Sequence, residues 1–288
     1  MKNLNYQLKQ ICRQNRDGSY STQAKRMHHL MQIANQLHAL GFQGMNARSL
    51  KSKHVDALVR QWLDQEFSTG TIKNRMAVLR WWAQKVDKQN VVARSNDHYG
   101  IPNRLFVTND SKAKAIDTQD LAKIPDSHIR LSLELQQAFG LRREEAIKFQ
   151  PGFADRGDHI RLKASWTKGG KSRTVPIRND IQRELLDRIQ RQVGTGSLIP
   201  ADRSYVQQLR VYERLTANAG LSRMHGLRHA YAQRRYEELT GWPSPAAGGP
   251  TSKQLSPAQK AQDHRARSLI SRELGHIRTQ VVGIYVGK

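Results

Sequence analysis

Cysteine is all but missing from these 288 residues: Cys12 stands alone. No disulfide can therefore form within the chain, and no cysteine-based zinc site can be built. Acidic residues are also scarce, 24 Asp+Glu against 48 Lys+Arg, for a formal net charge of +24. Long apolar runs are absent. No stretch approaches the roughly 18 residues that a membrane span needs, and the opening MKNLNYQLKQ lacks the apolar core of a secretory signal. These absences point to a reducing, cytoplasmic setting with no membrane partner.

The positive charge is spread along the chain. Residues 1–100 carry 16 Lys+Arg against 6 Asp+Glu, and the remainder carries 32 against 18. A basic tail on a neutral body is excluded, and a polyanion lying along the molecule, nucleic acid first among them, is favoured. The length suits two domains.

Residues 1–14 have helix-forming apolar positions. After the turn signal Arg16–Ser19, Ser21 or Thr22 is expected to cap a long helix with Met27, Leu30, Met31, Ala34, Leu37 and Leu40 on one face. Ser49 or Ser52 opens a third helix, and Ile72, Met76, Leu79, Trp82 and Val86 mark a fourth. Of the adjacent Trp81 and Trp82, one is expected in the core and one at its rim. The first domain, 1–105, thus reads as a basic helical bundle, with Lys73, Arg75 and Arg80 as candidate nucleic-acid contacts. Periodicity fades from Asn90 to Asp117, and 106–118 is expected to be a linker, with Arg104 to Val107 a candidate extended stretch. In the second domain, 119–288, helices over 128–150 break at Gly140. The runs 158–163 and 172–177 read as a β-hairpin turning on Gly169-Gly170, and further helices cover 181–193, 205–219 and the stretch from Ser222. Residues 241–265 hold four prolines, three glycines and no apolar period; they are expected to form an exposed inserted loop, with helix resuming at Ser268.

Several short clusters carry chemistry. Gly140-Leu141-Arg142-Arg143-Glu144-Glu145 sets a carboxylate three residues after an arginine, where it can fix the guanidinium. Lys168 stands at the hairpin tip in Lys168-Gly169-Gly170-Lys171-Ser172-Arg173. His225 and Arg228 lie one helical turn apart, and Leu274-Gly275-His276 precedes Tyr285. Each alone is an ordinary occurrence. His225 and His229 share the spacing of a zinc-protease helix, but Gly226 occupies the place of the required glutamate.

Taken in order, GLRxxE, KGGKxRxVPI, HGLRH, LGH and a following tyrosine resemble the tyrosine recombinase (phage integrase) family. The likeness covers 119–288 by motif and 1–105 only by layout. It implies a mainly α fold with a small β-sheet: a SAM-like, N-terminal core-binding bundle followed by an α+β catalytic domain. It implies catalytic roles for Arg142, Lys168, His225, Arg228, His276 and Tyr285, with Glu145 in support and no cofactor or metal. Lys171 and Arg173 join the candidate DNA contacts. The implied partner is double-stranded DNA bound at specific sites by a homo-oligomer, a tetramer at synapsis, with accessory DNA-bending proteins a further possibility. The implied setting is a bacterial or phage nucleoid. A type IB topoisomerase and a non-catalytic DNA-binding regulator are the alternatives. With only Val286, Gly287 and Lys288 after it, Tyr285 is expected on a loosely held segment, displaced from the arginines when no DNA is bound.

Overall fold

The computed structural model describes residues 3–288, which divide into two compact units, one ending at Leu105 and the other spanning Phe106–Lys288. The first contains α1 (Asn3–Gln14), α2 (Tyr20–Ala39), α3 (Ser52–Asp64) and α4 (Thr69–Lys85). The Ser19 hydroxyl caps α2 by accepting from the Thr22 amide, so the helix starts earlier than Ser21. Leu8, Leu30, Leu37, Leu58, Leu79 and Trp82 meet in its core. Both fully buried indoles, Trp62 and Trp82, satisfy their N–H groups, on Gln36 Oε1 and on Ala47 O. Trp81 lies at the rim, with the Arg26 guanidinium over its ring and its N–H donated to Asp17.

Two candidate DNA contacts are corrected here. Arg75 is buried, its guanidinium 4.5 Å from the Phe67 ring centroid and 5.3 Å from that of Trp62. It sits three residues after Ile72 and four before Leu79, on the inward stripe of α4. Arg80 straps the following loop, donating to Ala93 O at 3.0 and 2.9 Å and to Asn96 Oδ1 at 2.8 Å. Lys73 remains on the outside, donating to Asn103.

The second unit contains α5 (Thr118–Ala122), α6 (Ser127–Phe139), α7 (Arg143–Ile147), α8 (Pro151–Ala154), β1 (His159–Leu162), β2 (Arg173–Pro176), α9 (Asp180–Val193), α10 (Tyr205–Asn218), α11 (Gly226–Thr240), α12 (Pro257–Glu273) and α13 (Gly283–Val286). The strands pair antiparallel, His159 opposite Pro176 and Leu162 opposite Arg173, turning Ile160, Leu162 and Val175 inward. They are joined by the broad loop 163–172, in which Gly169 and Gly170 take positive φ, not by a two-residue turn. Phe139, Phe149, Tyr231, Tyr236 and Ile270 complete the main core. α6 ends at Gly140, φ +62, where a Cβ would come within 2.5 Å of the Tyr231 ring; only glycine fits.

Two irregular stretches are more ordered than their composition implies. Residues 106–118 are packed within the second unit: Lys114 N donates to Gly226 O, and Ile116 is buried with both backbone polar groups met by the Gln137 amide. No strand forms over Arg104 to Val107. The 241–265 insert has a short 3-10 turn at Pro245–Ala247 and buries Ser244, Ala246 and Leu255. Its last part is already α12, which starts at a capping box of Ser256 and Gln259 with Pro257 at the first helical position. Among the described residues no helix is long and apolar enough to cross a membrane.

Because Arg75 and Arg80 are internal struts, Arg75→Ala and Arg80→Ala should each lower the unfolding free energy by about 1–3 kcal/mol in urea titrations. The slope of log affinity for duplex DNA against log salt should stay at its wild-type value; a slope shallower by about 0.9 would instead mark a lost phosphate contact.

Candidate active site

Glu145 forms the floor of the site. It has no exposed surface. One oxygen accepts from Arg142 Nη1 at 2.8 Å and Arg173 Nη1 at 2.6 Å; the other accepts from Arg142 N at 2.6 Å and Arg173 Nη2 at 2.7 Å. The short helix α7 creates this geometry, since Arg142 is its N-cap residue and Glu145 lies three residues on. Burial pushes the carboxyl's pKa up, but the Arg173 hydrogen bonds and charge, with Arg228 and Arg142 behind them, override it and hold the group at about 2.

Arg173 was an expected DNA contact and is corrected too. Its side chain is 7% exposed, and its donors go to Glu145 and, through Nε at 2.9 Å, to Glu273 O. It shares the inward face of β2 with buried Val175, two residues on. It also approaches the Leu274-Gly275-His276 turn so closely that a Cβ on Gly275, φ +65, would lie 2.7 Å from Arg173 Cδ.

Arg228, from the first turn of α11, is fully buried. It donates to Gly140 O at the end of α6 and to Leu274 O at the end of α12, so one guanidinium ties three helices. Burial and the nearby Arg142 charge lower its pKa to about 10, which leaves it charged at neutral pH. His276 Nε2 lies 3.5 Å from Arg228 Nη2. Burial, followed by the Arg228, Arg142 and Arg173 charges, brings His276 down to about 3.

Tyr285 lies within this group, contrary to the displaced position expected. It is 6% exposed, with its hydroxyl 3.3 Å from His225 Nε2. The Arg228 guanidinium is 5.7 Å from its ring centroid, and the His276 ring stacks on it at 5.4 Å. Nor is the segment loose. Gln233 Nε2 donates to Tyr285 O, Arg267 Nη1 to Gly287 O, and Asn109 bonds both the N–H and C=O of Lys288. His225 stands at the N-cap position of α11 without a side-chain capping bond and with an exposed outer face; shielding of its inner face, then the Arg228 and Arg142 charges, lower its pKa. A neutral imidazole beside a phenol hydroxyl can accept its proton, and two guanidiniums fixed on protein acceptors can hold phosphate oxygens without reorganising.

The structure thus gathers Arg142, Glu145, His225, Arg228, His276 and Tyr285. Lys168 stands apart, exposed on the 163–172 loop, as does Lys171. Sequence reasoning missed three contributors. His229 packs its ring 4.6 Å from that of Tyr285, and burial with the His225 charge takes it to about 4. Gln233 holds the tyrosine's carbonyl. Glu273 accepts from Tyr231 Oη at 2.7 Å and Arg235 Nε at 3.1 Å. The legible signal for the first two was spacing: His225, His229 and Gln233 recur every four residues, one stripe of α11 turned toward Tyr285.

A buried tyrosine hydroxyl against an imidazole, over anchored arginines, is equipment for a phosphoester. The comparisons agree in class. Residues 1–92 match the family model described as phage integrase, N-terminal, and residues 106–234 match that described as integrase. The chain belongs to this family, the tyrosine recombinases. Among solved structures it resembles a lambda integrase dimer bound to a COC' core site (TM-score 0.63, 16% identity, 98% of this chain and 76% of that one). It also resembles XerH recombinase bound to a difH substrate in a pre-cleavage complex (0.56, 17%, 98% and 80%). A third similar structure is the Tn1549 transposon integrase with circular intermediate DNA (0.56, 14%, 99% and 95%). No curated protein matches the chain.

Breaking the floor should be costly. Glu145→Gln leaves Arg173 buried without its counter-charge, and a loss of about 3–5 kcal/mol at pH 7 is expected in chemical denaturation. Acid titration of the wild type should show two windows. His229 and His276 are neutral when folded and protonated when unfolded below about pH 6.5, so stability falls from there toward pH 3–4, the range of their folded values. Glu145, with its depressed value, adds a second loss from about pH 4.5 down toward 2. A Tm unchanged from pH 7 to pH 5 would contradict the first window.

Proposed function

We propose that this chain is a site-specific recombinase that cuts and rejoins duplex DNA through a 3′-phosphotyrosyl link, serving integration or excision of a mobile element. The observation that carries the reading is the 3.3 Å approach of Tyr285 Oη to His225 Nε2 within the Arg142–Arg228 pair. In this mechanism Tyr285 Oη attacks the scissile phosphorus and its proton passes to His225. Arg142 and Arg228 hold the non-bridging oxygens, and neutral His276 hydrogen-bonds the same group. The P–O5′ bond breaks, and Lys168, reaching in from its loop, supplies the proton to the departing 5′ oxygen. The phosphotyrosine keeps the energy of the phosphodiester, so attack by the 5′ hydroxyl of another strand restores the DNA and frees the tyrosine. Four strand cuts in two duplexes call for four protomers at synapsis, and the lambda integrase dimer on its core site supports assembly on DNA. Accessory bending proteins fit the same scheme, as does a nucleoid setting.

The test uses the full chain with nicked duplexes that it selects from a randomised pool. The wild type should form an SDS-resistant adduct, and Tyr285→Phe none. His225→Ala should slow adduct formation by about 10²–10⁴-fold. Since neutral His225 is the proton acceptor and its pKa is lowered, the single-turnover rate should fall only below about pH 6.5. Absence of adduct on every selected duplex would overturn the reading. Relaxation of supercoiled DNA lacking a selected site would favour topoisomerase action.

A further inference from the structure

We propose that Gln233, set by Ser111, is a positioning residue for Tyr285, a proposal that rests on the function just stated. α13 is a four-residue helix, and Tyr285 O is one of the terminal carbonyls that a helix leaves without an internal partner. Gln233 Nε2 meets it at 3.0 Å in a buried contact. The amide can face only one way. A carbonyl oxygen only accepts, so the amide must turn its NH2 to Tyr285, leaving Oε1 toward Ser111 Oγ at 3.0 Å. Ser111 Oγ already accepts from the Ala113 amide at 3.2 Å, and its proton is free to go to Gln233. The chain of bonds therefore runs with one polarity from Ala113 N through Ser111 and Gln233 to the tyrosine's main chain.

The same stretch of chain touches the segment again. Asn109 Oδ1 accepts from Lys288 N at 3.0 Å and its Nδ2 donates to Lys288 O at 3.3 Å, and Val107 lies against Gly283. Residues 107–111 thus form a strap along 283–288. They begin the second unit, next to the boundary at Leu105–Phe106. Above the strap, His225 and His229 contact the phenol ring, while Gln233, one step along the stripe, fixes the backbone behind it. Ring and backbone are set from one helix, so the Oη–Nε2 distance depends on the amide as well as on the imidazole. A change in the path of the boundary segment would be transmitted, through Ser111, to the position of the nucleophile.

Single-turnover adduct formation on the selected nicked duplex, with DNA affinity and Tm measured alongside, tests this. Gln233→Leu keeps the side chain's bulk and should slow adduct formation about 100-fold, the scale of an ångström-sized misplacement, at unchanged DNA affinity. Ser111→Ala, at an exposed position where folding is not at stake, should slow it about tenfold, and Ser111→Thr, which keeps the hydroxyl, should restore the wild-type rate. The double variant should be no slower than Gln233→Leu alone, because both act through one bond. A wild-type rate in Gln233→Leu or Ser111→Ala, or additive losses in the double variant, would overturn the proposal while the recombinase reading stands. No adduct from the wild type would overturn both.

Discussion

The four-donor grip on Glu145 is the contact on which the rest depends. A carboxylate without solvent is tolerable only when its lone pairs are filled and its charge is matched. Here the filling comes from two arginines far apart in sequence. Arg142 is local to α7; Arg173 comes from β2. Through Arg173 the same hub reaches Glu273 O at the end of α12, and Arg228 closes the circuit by holding Gly140 O and Leu274 O. Three cations and one anion fix the relative positions of α6, α7, β2, α11 and α12. The network keeps a surplus of positive charge, and of its three cations Arg142 has the most exposed side chain.

The residues of the site differ in how many protein groups hold them. Arg142 is held on Glu145, Arg228 on two main-chain carbonyls, and Glu145 by four donors. Tyr285 is held by its ring, its carbonyl and the residues after it. Lys168 is exposed, on a loop with two glycines at positive φ. The imidazoles around the phenol are kept neutral chiefly by burial, with neighbouring positive charge adding to it, so they meet Tyr285 as uncharged hydrogen-bonding and packing groups.

Much of this was legible in the sequence. The helices followed apolar periodicity, Gly140 marked a helix end, and the motif order pointed to the residues that converge. What escaped had physical reasons. Arg75 and Arg173 look like surface cations in composition, yet both fall on inward registers, one on the α4 stripe and one beside Val175. Aromatic faces shelter the first and a carboxylate the second. The 241–265 stretch reads as loose because prolines and glycines hide the Ser256–Gln259 capping box that starts α12. Tyr285 seemed weakly tethered because its restraints come from Asn109, Gln233 and Arg267, residues that no local pattern joins to it. Long-range hydrogen bonds to main-chain atoms leave no periodic trace.

The closeness of Gly275 to Arg173 has one more consequence. The left-handed turn that presents His276 is shaped around a side chain from the hairpin, so position 275 is limited twice, by its positive φ and by the residue at 173. A bulkier residue in the turn could be accepted only with a shorter one in the strand, and that shorter residue would no longer reach Glu145. Two motifs separated by about a hundred positions are thus tied by one close approach and one hydrogen bond.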